Sequence, residues 1–365
     1  MTPTIGRFTR PNGTVVQRAA NKTTSLADLV SGLDGNDSIN GGGGNDSVSG
    51  GNGNDTLIGD TLIGAVGLDT IRGGTGNDAI EGRVDNDRLF GDVGNDTVQG
   101  NHGSDTINGG AGNDRLIGDD AVIEGLIDGS SDDVIFGDKG NDTVVGDAYS
   151  LVGEARGAGN DTLRGGDGDD SVVGDGGTGF VGDFSAGVGD DALFGEWGND
   201  TLMGDGEDHG AGDDFLNAGP GHDLMFGDGK SGFPGGNDTL ILREGSDTAV
   251  GGRGEDLFIL DEHFAEVDQD GNPINFRDLI VDFEGAGIAG GDVLDITPNE
   301  IHGWDYHLTS VVSPVGGNAG AVVQTSDGKG GTLLSIYGDQ NAKADWEIVL
   351  ANVTPGTLTT EDIIL

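Results

Sequence analysis

The sequence contains no cysteine, which excludes disulfide bonds and thiolate metal sites. Aromatic residues make up only 5% of its 365 residues, so large apolar side chains are scarce. Basic residues are also few, with 17 Lys and Arg against 65 Asp and Glu, a formal net charge of -48. Such a polyanion lacks the basic patches that bind nucleic acids and anionic membrane surfaces. Its charge favours cations as partners.

Long apolar segments are missing as well. No run approaches the roughly 18 residues of a membrane span, so we predict no membrane-spanning helix. The first residues, MTPTIGRFTRPNGTVVQ, lack the apolar core of a secretory signal, which predicts export without a cleaved N-terminal signal. The zinc-protease motif H-E-x-x-H does not occur, and the six histidines are scattered. We predict no catalytic residues and no enzymatic activity.

Glycine is abundant, with 75 residues, and it recurs in a fixed pattern. From Gly32 to Ile259 the chain divides into 20 units of the form G-x-x-G-x-D-x-U-x, where U is apolar. The sixth position is Asp and the eighth is apolar in all 20 units; the first is Gly in 18, the exceptions being Ala218 and Leu242. This regularity indicates a solenoid of stacked repeats.

The lengths of the units indicate how the solenoid is wound. Fourteen units have nine residues, and six carry 5 to 12 extra residues. The long units are the fourth, tenth, twelfth, fourteenth, sixteenth and eighteenth, all even-numbered. If one coil comprises two units, every insertion projects from the same edge, which we call the inserted edge; the other is the plain edge. The parity therefore predicts a flattened roll of about ten coils with two short strands each.

Several units, such as GGNGNDTLI, GGTGNDAIE and GGAGNDRLI, resemble the nonapeptide repeat of repeats-in-toxin (RTX) proteins at every defining position. The resemblance covers residues 32–259 and implies a right-handed parallel β-roll that binds calcium. The predicted fold class is therefore all-β, a parallel β-roll with a small β-rich C-terminal cap domain.

The residue types suit calcium chemistry. Glycine allows positive φ and close approach of backbones, and calcium takes six to eight hard oxygen ligands from carboxylates and carbonyls. Stacked carboxylates would recur about every 4.8 Å and repel one another. We predict that the roll is unfolded without cations. Ten turns on each edge leave nine gaps, which sets an upper limit of about 18 calcium ions.

Two columns of candidate metal ligands follow from the repeat. The plain edge carries Asp37, Asp55, Asp78, Asp96, Asp114, Asp142, Asp170, Asp200, Asp223 and Asp247. The inserted edge carries Asp46, Asp69, Asp87, Asp105, Asp133, Asp161, Asp191, Asp214, Asp238 and Asp256. We refer to these twenty residues as the motif aspartates.

All six long units begin with Gly-Asp. These second-position aspartates are Asp60, Asp119, Asp147, Asp175, Asp205 and Asp228. Two interpretations remain open: the side chain is an additional metal ligand, or it forms an Asx-type turn that anchors the insert. The inserts also contain the apolar residues Tyr149, Leu151, Val152, Phe180, Val181 and Phe184. These residues either cover the edge or form a patch for a glycan, a surface or another subunit.

The two ends differ from the repeats in composition. Residues 1–31 hold Arg7, Arg10, Arg18 and Lys22, and this basic arm either caps the first coil or contacts a neighbouring molecule. Residues 260–365 are predicted to form the C-terminal cap. FRDLIVDFEGAGIAGGDVLDI resembles the segment that closes the roll in secreted RTX enzymes, and the C-terminal Asp-Ile-Ile-Leu resembles an uncleaved type I secretion signal. The type I secretion machinery is therefore an expected partner.

The sequence thus predicts a secreted calcium-binding protein that folds outside the cell, where calcium is available to weak sites. Its expected role is structural or adhesive at a cell surface or in the extracellular matrix, with self-assembly open. The alternative is a secreted RTX protein that binds or modifies polysaccharides through the inserted edge.

Overall fold

The structure is a computed structural model, and it describes the chain in fifteen segments. These are residues 5–7, 27–60, 67–120, 131–148, 159–175, 189–205, 212–228, 235–261, 277–283, 291–296, 310–312, 321–337, 346–354, 357–358 and 362–364. Within them the regular secondary structure is entirely β, as the repeat predicts. No helix in these segments is long and apolar enough to cross a lipid bilayer.

The strands are short and follow one another with the period of the repeat. In chain order they are β1 (Ile5–Arg7), β2 (Leu29–Asp34), β3 (Ser38–Gly42), β4 (Ser47–Asn52), β5 (Thr56–Asp60), β6 (Thr70–Thr75), β7 (Ala79–Val84), β8 (Arg88–Val93), β9 (Thr97–His102), β10 (Thr106–Ala111), β11 (Arg115–Asp120), β12 (Val134–Lys139), β13 (Thr143–Ala148), β14 (Thr162–Asp167), β15 (Ser171–Asp175), β16 (Ala192–Trp197), β17 (Thr201–Asp205), β18 (Phe215–Asn217), β19 (Leu224–Phe226), β20 (Thr239–Leu242), β21 (Thr248–Val250), β22 (Leu257–Leu260), β23 (Arg277–Ile280), β24 (Val293–Asp295), β25 (Ser310–Val312), β26 (Ala321–Ser326), β27 (Thr332–Tyr337), β28 (Trp346–Leu350) and β29 (Ile363–Ile364).

Consecutive strands alternate between two sheets. Even-numbered strands from β2 to β24 are neighbours in one sheet, and odd-numbered strands from β3 to β23 are neighbours in the other. The pairing throughout these strands is parallel and in register, for example Leu116 opposite Val144. One coil therefore takes two units, as the parity of the insertions predicts, and the parallel β-roll that the RTX resemblance implies is confirmed.

The core lies between the two sheets and is built mainly from the apolar residue at position eight of each unit. Alternate residues of a strand point to opposite faces, so position eight points inward while positions seven and nine point outward. Leu57, Ile80, Leu163 and Leu202 are all 0–1% exposed in this core. The ladder of stacked aliphatic side chains accounts for the need for an apolar residue in every unit.

Position two of the units differs between short and long units in its backbone conformation. In every nine-residue unit except the one that begins at Leu242, this residue has φ between 71° and 119°. Seven of these thirteen residues are glycines, which adopt such angles readily. The six others include Arg83, Asp92, Asn101 and Asp138. The corresponding aspartates of the six long units do not have positive φ. The side chain therefore leaves the backbone in a different direction in long units.

The sheets extend beyond the counted repeats at both ends. Strand β2 begins at Leu29, ahead of Gly32, and β24 and β29 continue the first sheet past Leu260. In the second sheet, β23 pairs with β28 in parallel, and β28, β27 and β26 then pair antiparallel. The C-terminal residues described are thus β-rich and continuous with the roll. Residues 1–31, 32–259 and 260–365 as separate units remain a prediction.

Candidate metal centres

The motif aspartates stack in two continuous ladders, one along each edge. In each ladder the main-chain N–H of one Asp donates to Oδ1 of the Asp one coil further along. On the plain edge Asp37 donates to Asp55 at 2.7 Å, and on the inserted edge Asp133 donates to Asp161 at 2.8 Å. The motif aspartates are at most 7% exposed. The two columns predicted from the repeat are therefore present and buried.

The second carboxylate oxygen of most motif aspartates accepts no hydrogen bond. Within the described residues this holds for Oδ2 of Asp37, Asp55, Asp69, Asp78, Asp87, Asp96, Asp105, Asp114, Asp133, Asp142, Asp161, Asp170, Asp191, Asp200, Asp214, Asp223 and Asp238. A buried polar group without a partner normally costs about 1–3 kcal/mol, and a charged one costs more. One such atom would be a local defect, but a whole column of them is the arrangement expected of ligands for a row of cations.

The position-one glycines complete this arrangement. A Cβ atom built on Gly137 would lie 2.3 Å from the carbonyl oxygen of Gly165 and 2.5 Å from Oδ2 of Asp142. The carboxylate of one unit and the carbonyl of the next coil thus converge on the same glycine. Hard oxygens from carboxylates and carbonyls are the ligands that calcium prefers. The donor set therefore fits calcium, and glycine leaves the space that the oxygens occupy.

Burial raises the pKa of these carboxyls, and the effect is larger on the inserted edge. Burial is the main cause of a pKa of about 7 for Asp142 and Asp200 on the plain edge. On the inserted edge, burial followed by repulsion from neighbouring carboxylates raises the pKa of Asp133 and Asp214 to about 11. Without a cation, these stacked carboxyl groups resist ionisation, so their ionised form needs a counter-ion.

The second-position aspartates of the long units lie in the interior of the inserted edge. Asp60, Asp175 and Asp205 are 0% exposed. In Asp147 and Asp175, Oδ2 accepts a 2.8 Å hydrogen bond from the main chain where the insert returns, at Gly159 and Gly189 respectively. These carboxylates therefore bind the main chain 12 and 14 residues further along, where the insert returns, which is a longer link than an Asx turn. Their role as metal ligands remains a prediction.

Among the described residues, carboxylate oxygens converge at two places on the inserted edge. Oxygens of Asp119, Asp133 and Asp147 lie within 4.8 Å of one another, and so do oxygens of Asp147, Asp161 and Asp175. Both groups combine motif aspartates with second-position aspartates. They are geometrically suited to a shared metal ion.

A ladder at position five was not anticipated from the sequence. On the plain edge the main-chain N–H of Asn54 donates to Oδ1 of Asn36, and that of Asn77 donates to Oδ1 of Asn54, each at 3.0 Å. These bonds run toward the preceding coil, opposite in direction to those of the aspartates. The recurrent Asn-Asp pair of the units was the available signal. The asparagines join successive turns on the exposed side of the edge.

Both aspartate ladders also extend past the counted repeats. The main-chain N–H of Asp247 donates to Oδ1 of Asp278, and that of Asp256 donates to Oδ1 of Asp292. Asp28 donates in the same way to Oδ1 of Asp46. The pattern of Asp followed two residues later by an apolar residue is preserved at these positions. The motif glycines are absent before Asp28 and Asp278, whereas Gly287 and Gly290 precede Asp292 with the spacing of the repeat.

The apolar residues of the inserts, from Tyr149 to Phe184, lie outside the described residues. Arg10, Arg18 and Lys22 of the basic arm also lie outside them, and of Arg7 only the backbone is described. Predictions about a binding patch and about the arm therefore remain predictions.

The similarity of this chain to whole proteins of known sequence or structure is limited. No curated protein sequence matches the chain significantly. Among solved structures, the AlgE6R3 subunit of the Azotobacter vinelandii mannuronan C5-epimerase is 23% identical, with 48% of this chain and 77% of that chain covered and a TM-score of 0.27. The extracellular lipase LipA of Serratia marcescens is 18% identical, with 87% of this chain covered and a TM-score of 0.25. This chain spans 45% of the lipase.

The family model of the RTX calcium-binding nonapeptide repeat matches more than half of the chain. The matched residues are 23–57, 59–89, 90–120, 126–148, 157–181, 183–208, 210–229 and 235–261. They include every motif aspartate and run from ahead of β2 to the end of β22. The chain therefore belongs to the RTX calcium-binding repeat family.

Proposed function

We propose that calcium ions fill the gaps between successive coils on both edges and that their binding folds the roll. The twenty motif aspartates supply carboxylate ligands, and main-chain carbonyls near the position-one glycines supply the others. The observation that carries this proposal is the column of buried Oδ2 atoms without hydrogen-bond partners among the described residues. Up to about 18 ions would be held in this way.

The proposal accounts for the folding of a chain with a net charge of -48. Calcium binding to the folded state alone stabilises it by mass action. Since the ligands of one site come from different coils, an unfolded chain offers no preformed site, and binding energy becomes folding energy. The motif aspartates thereby change from a source of repulsion into the links between coils.

The same chemistry supports an extracellular location. Extracellular calcium modules bind in the range of about 10⁻⁴ to 10⁻³ M, which is far above the calcium concentration that cytosolic sensors respond to. A chain with sites of this strength stays unfolded inside the cell and folds after export. The C-terminal Asp-Ile-Ile-Leu supports the type I secretion machinery as the export partner, with residues 260–365 as the domain that also closes the roll.

We assign the folded protein a structural or adhesive role at a cell surface or in the extracellular matrix. Parallel strands in register build a roll whose length is set by the number of coils, and this geometry suits a spacer or a surface component. The proposal includes no catalytic activity. Self-association remains part of the proposal, to be decided by experiment.

A calcium titration of the full chain, stripped of metal, tests the proposal. At pH 8, circular dichroism should show disordered chain in chelator and β structure after calcium is added, with a midpoint near millimolar or below. Magnesium, which requires smaller octahedral sites, should not replace calcium at equal concentration. A chain that is compact and β-rich in chelator, with no bound metal, would overturn the proposal.

The assembly state needs a separate measurement. Light scattering during gel filtration, with and without calcium, distinguishes a folded monomer from calcium-dependent oligomers. Electron microscopy of the calcium-loaded protein then shows whether oligomers are sheets or fibres. A strictly monomeric protein that turns over uronic-acid polymers would contradict the structural role while leaving calcium-dependent folding intact.

A further inference from the structure

The two edges of the roll differ in the number of carboxylates that each coil contributes. A coil adds one motif aspartate to the plain edge. On the inserted edge, coils with a long unit add a second buried carboxylate. Asp119, Asp147 and Asp175 stand directly opposite one another on β11, β13 and β15, and each is at most 1% exposed. They form an inner ladder beside the motif aspartates.

The inner ladder and the motif aspartates meet at the two groups of three carboxylates. Oxygens of Asp119, Asp133 and Asp147 lie within 4.8 Å of one another, as do those of Asp147, Asp161 and Asp175. Two oxygens bound to one calcium ion at about 2.3–2.6 Å lie at most about 5.2 Å apart. Each group is therefore compact enough for a single calcium ion, and the two groups share Asp147.

A second observation points to a ligand at these groups. Oδ2 of Asp133 and Oδ2 of Asp161 accept no hydrogen bond from the described residues, and both side chains are 1% exposed. In contrast, Oδ2 of Asp147 accepts a hydrogen bond from the main-chain N–H of Gly159. The second-position carboxylate is thus held in a fixed orientation, while the motif carboxylates keep an oxygen for the ion.

The backbone explains why this arrangement is confined to long units. Asp138 has the same Gly-Asp sequence in a nine-residue unit, but its φ is 72°. Its side chain is exposed and accepts a 2.7 Å hydrogen bond from Nδ2 of Asn108. Asp147 does not have positive φ, and its side chain is buried. An insertion therefore determines whether the second-position carboxylate enters the edge.

We propose that Asp119, Asp147 and Asp175 convert this part of the inserted edge into two three-carboxylate calcium sites, which bind calcium more tightly than the gaps of the plain edge and fill first. This inference rests on the proposed function, since it assigns an order of filling to calcium sites. Calcium affinity in oxygen-ligand sites rises with the number of charged ligands and with the rigidity of the site. In the two three-carboxylate groups, both the number of charged ligands and the rigidity of the site are higher than in the gaps of the plain edge. Folding would then start at β11, β13 and β15 and spread toward both ends.

The test is a calcium titration of the full chain in competition with a fluorescent calcium chelator. Asp147→Asn removes one charge from both groups, and Asp138→Asn removes a charge from the same sequence position outside them. The wild type should show a tight class of sites, and Asp147→Asn should weaken about two of these by tenfold or more. Asp138→Asn should titrate like the wild type. Equal effects of both variants, or no effect of Asp147→Asn, would overturn the inference.

Hydrogen exchange of the unmutated protein gives an answer that does not depend on the folding of a variant. At increasing calcium concentration, peptides of β11 and β13 should become protected before peptides of β4 and β6. Protection of all strands at one calcium concentration would refute the order of filling but leave calcium-dependent folding standing. Absence of protection at any calcium concentration would refute the proposed function itself, and this inference with it.

Discussion

The main-chain N–H of Asp114 donates a 2.7 Å hydrogen bond to Oδ1 of Asp142, one coil further along the plain edge. Oδ2 of Asp142 accepts no hydrogen bond from the described residues. The two oxygens of one carboxylate therefore have different partners. Oδ1 joins two coils through the backbone, and Oδ2 is available to a cation.

The different partners of Oδ1 and Oδ2 predict the effect of Asp142→Asn. The amide keeps an oxygen for the N–H of Asp114 but removes the negative charge. Changes to outer-shell groups already reduce metal affinity by about 10–100-fold, so if Asp142 is a direct ligand as proposed, its loss should weaken calcium binding by at least about tenfold. Calorimetric titration should show this change at the two gaps beside Asp142 only. Asp167→Asn, which alters an exposed carboxylate at the end of β14, is the matched control.

The position-one glycines give a second prediction. In Gly137→Ala the new Cβ would lie within 2.5 Å of Oδ2 of Asp142 and of the carbonyl oxygen of Gly165. Both oxygens are proposed calcium ligands, so the substitution should displace them and raise the calcium concentration needed for folding. Circular dichroism during calcium titration measures this midpoint.

Gly42→Ala is the control for that substitution. Gly42 has φ of 117°, but a Cβ there has no atom within 4 Å. Gly42→Ala should lower the free energy of unfolding only by the strain of a left-handed residue, about 1–2 kcal/mol. If Gly137→Ala had no larger effect than Gly42→Ala, the close approach at position one would not matter for calcium binding.

The repeat made much of this structure predictable. Position six placed residues such as Asp142 in buried columns, position eight placed residues such as Leu163 in the core, and the even-numbered insertions predicted the alternation between two sheets. Each of these inferences depends on periodicity, which survives variation of individual residues.

Features that depend on local backbone conformation were not predictable in this way. The sequence Gly-Asp is the same at Asp138 and Asp147, but one side chain is exposed and the other buried, because their φ angles differ. The ladders also continue to Asp278 and Asp292 across intervals of 31 and 36 residues. A count based on nine-residue spacing ends before these residues.

The raised pKa values predict an unusual pH dependence for the metal-free protein. Burial raises the pKa of Asp142 to about 7 and that of Asp105 to about 9, against about 3.9 in an unfolded chain. Between about pH 4 and these values the folded state binds more protons than the unfolded state, so the stability of the metal-free roll falls as pH rises. Metal-stripped protein should therefore show more β structure by circular dichroism at pH 5 than at pH 8.

The calcium-loaded protein should respond in the opposite direction. Calcium needs ionised carboxylates, so acidification should raise the calcium midpoint. Both pH series, metal-free and calcium-loaded, should be repeated in about 1 M salt, where the Debye length is about 3 Å. This separates the effect of protonation from general screening of the net charge. Metal-free protein that is more structured at pH 8 than at pH 5 would contradict the assignment of these carboxyls to a buried, compact roll.

The last residues of the chain give a prediction that separates folding from export. Ile363 of β29 lies opposite Leu294 of β24 and is 2% exposed, and the main-chain N–H of Leu294 donates to the carbonyl oxygen of Asp362 at 2.9 Å. The segment that resembles a secretion signal is therefore also a strand of the folded roll. In Ile363→Asp a charge replaces a buried side chain, which should destabilise this end by several kcal/mol.

Hydrogen exchange of purified, calcium-loaded protein measures that effect without the export machinery. In Ile363→Asp, peptides of β22 and β24 should exchange faster, while peptides of β4 and β6 at the other end of the roll keep their protection, because each coil contacts only its neighbours. Thr357→Asp, which adds the same charge at an exposed position, is the control. Unchanged exchange in β24 would show that β29 contributes nothing to the fold, and would leave secretion as the sole proposed use of the C-terminus.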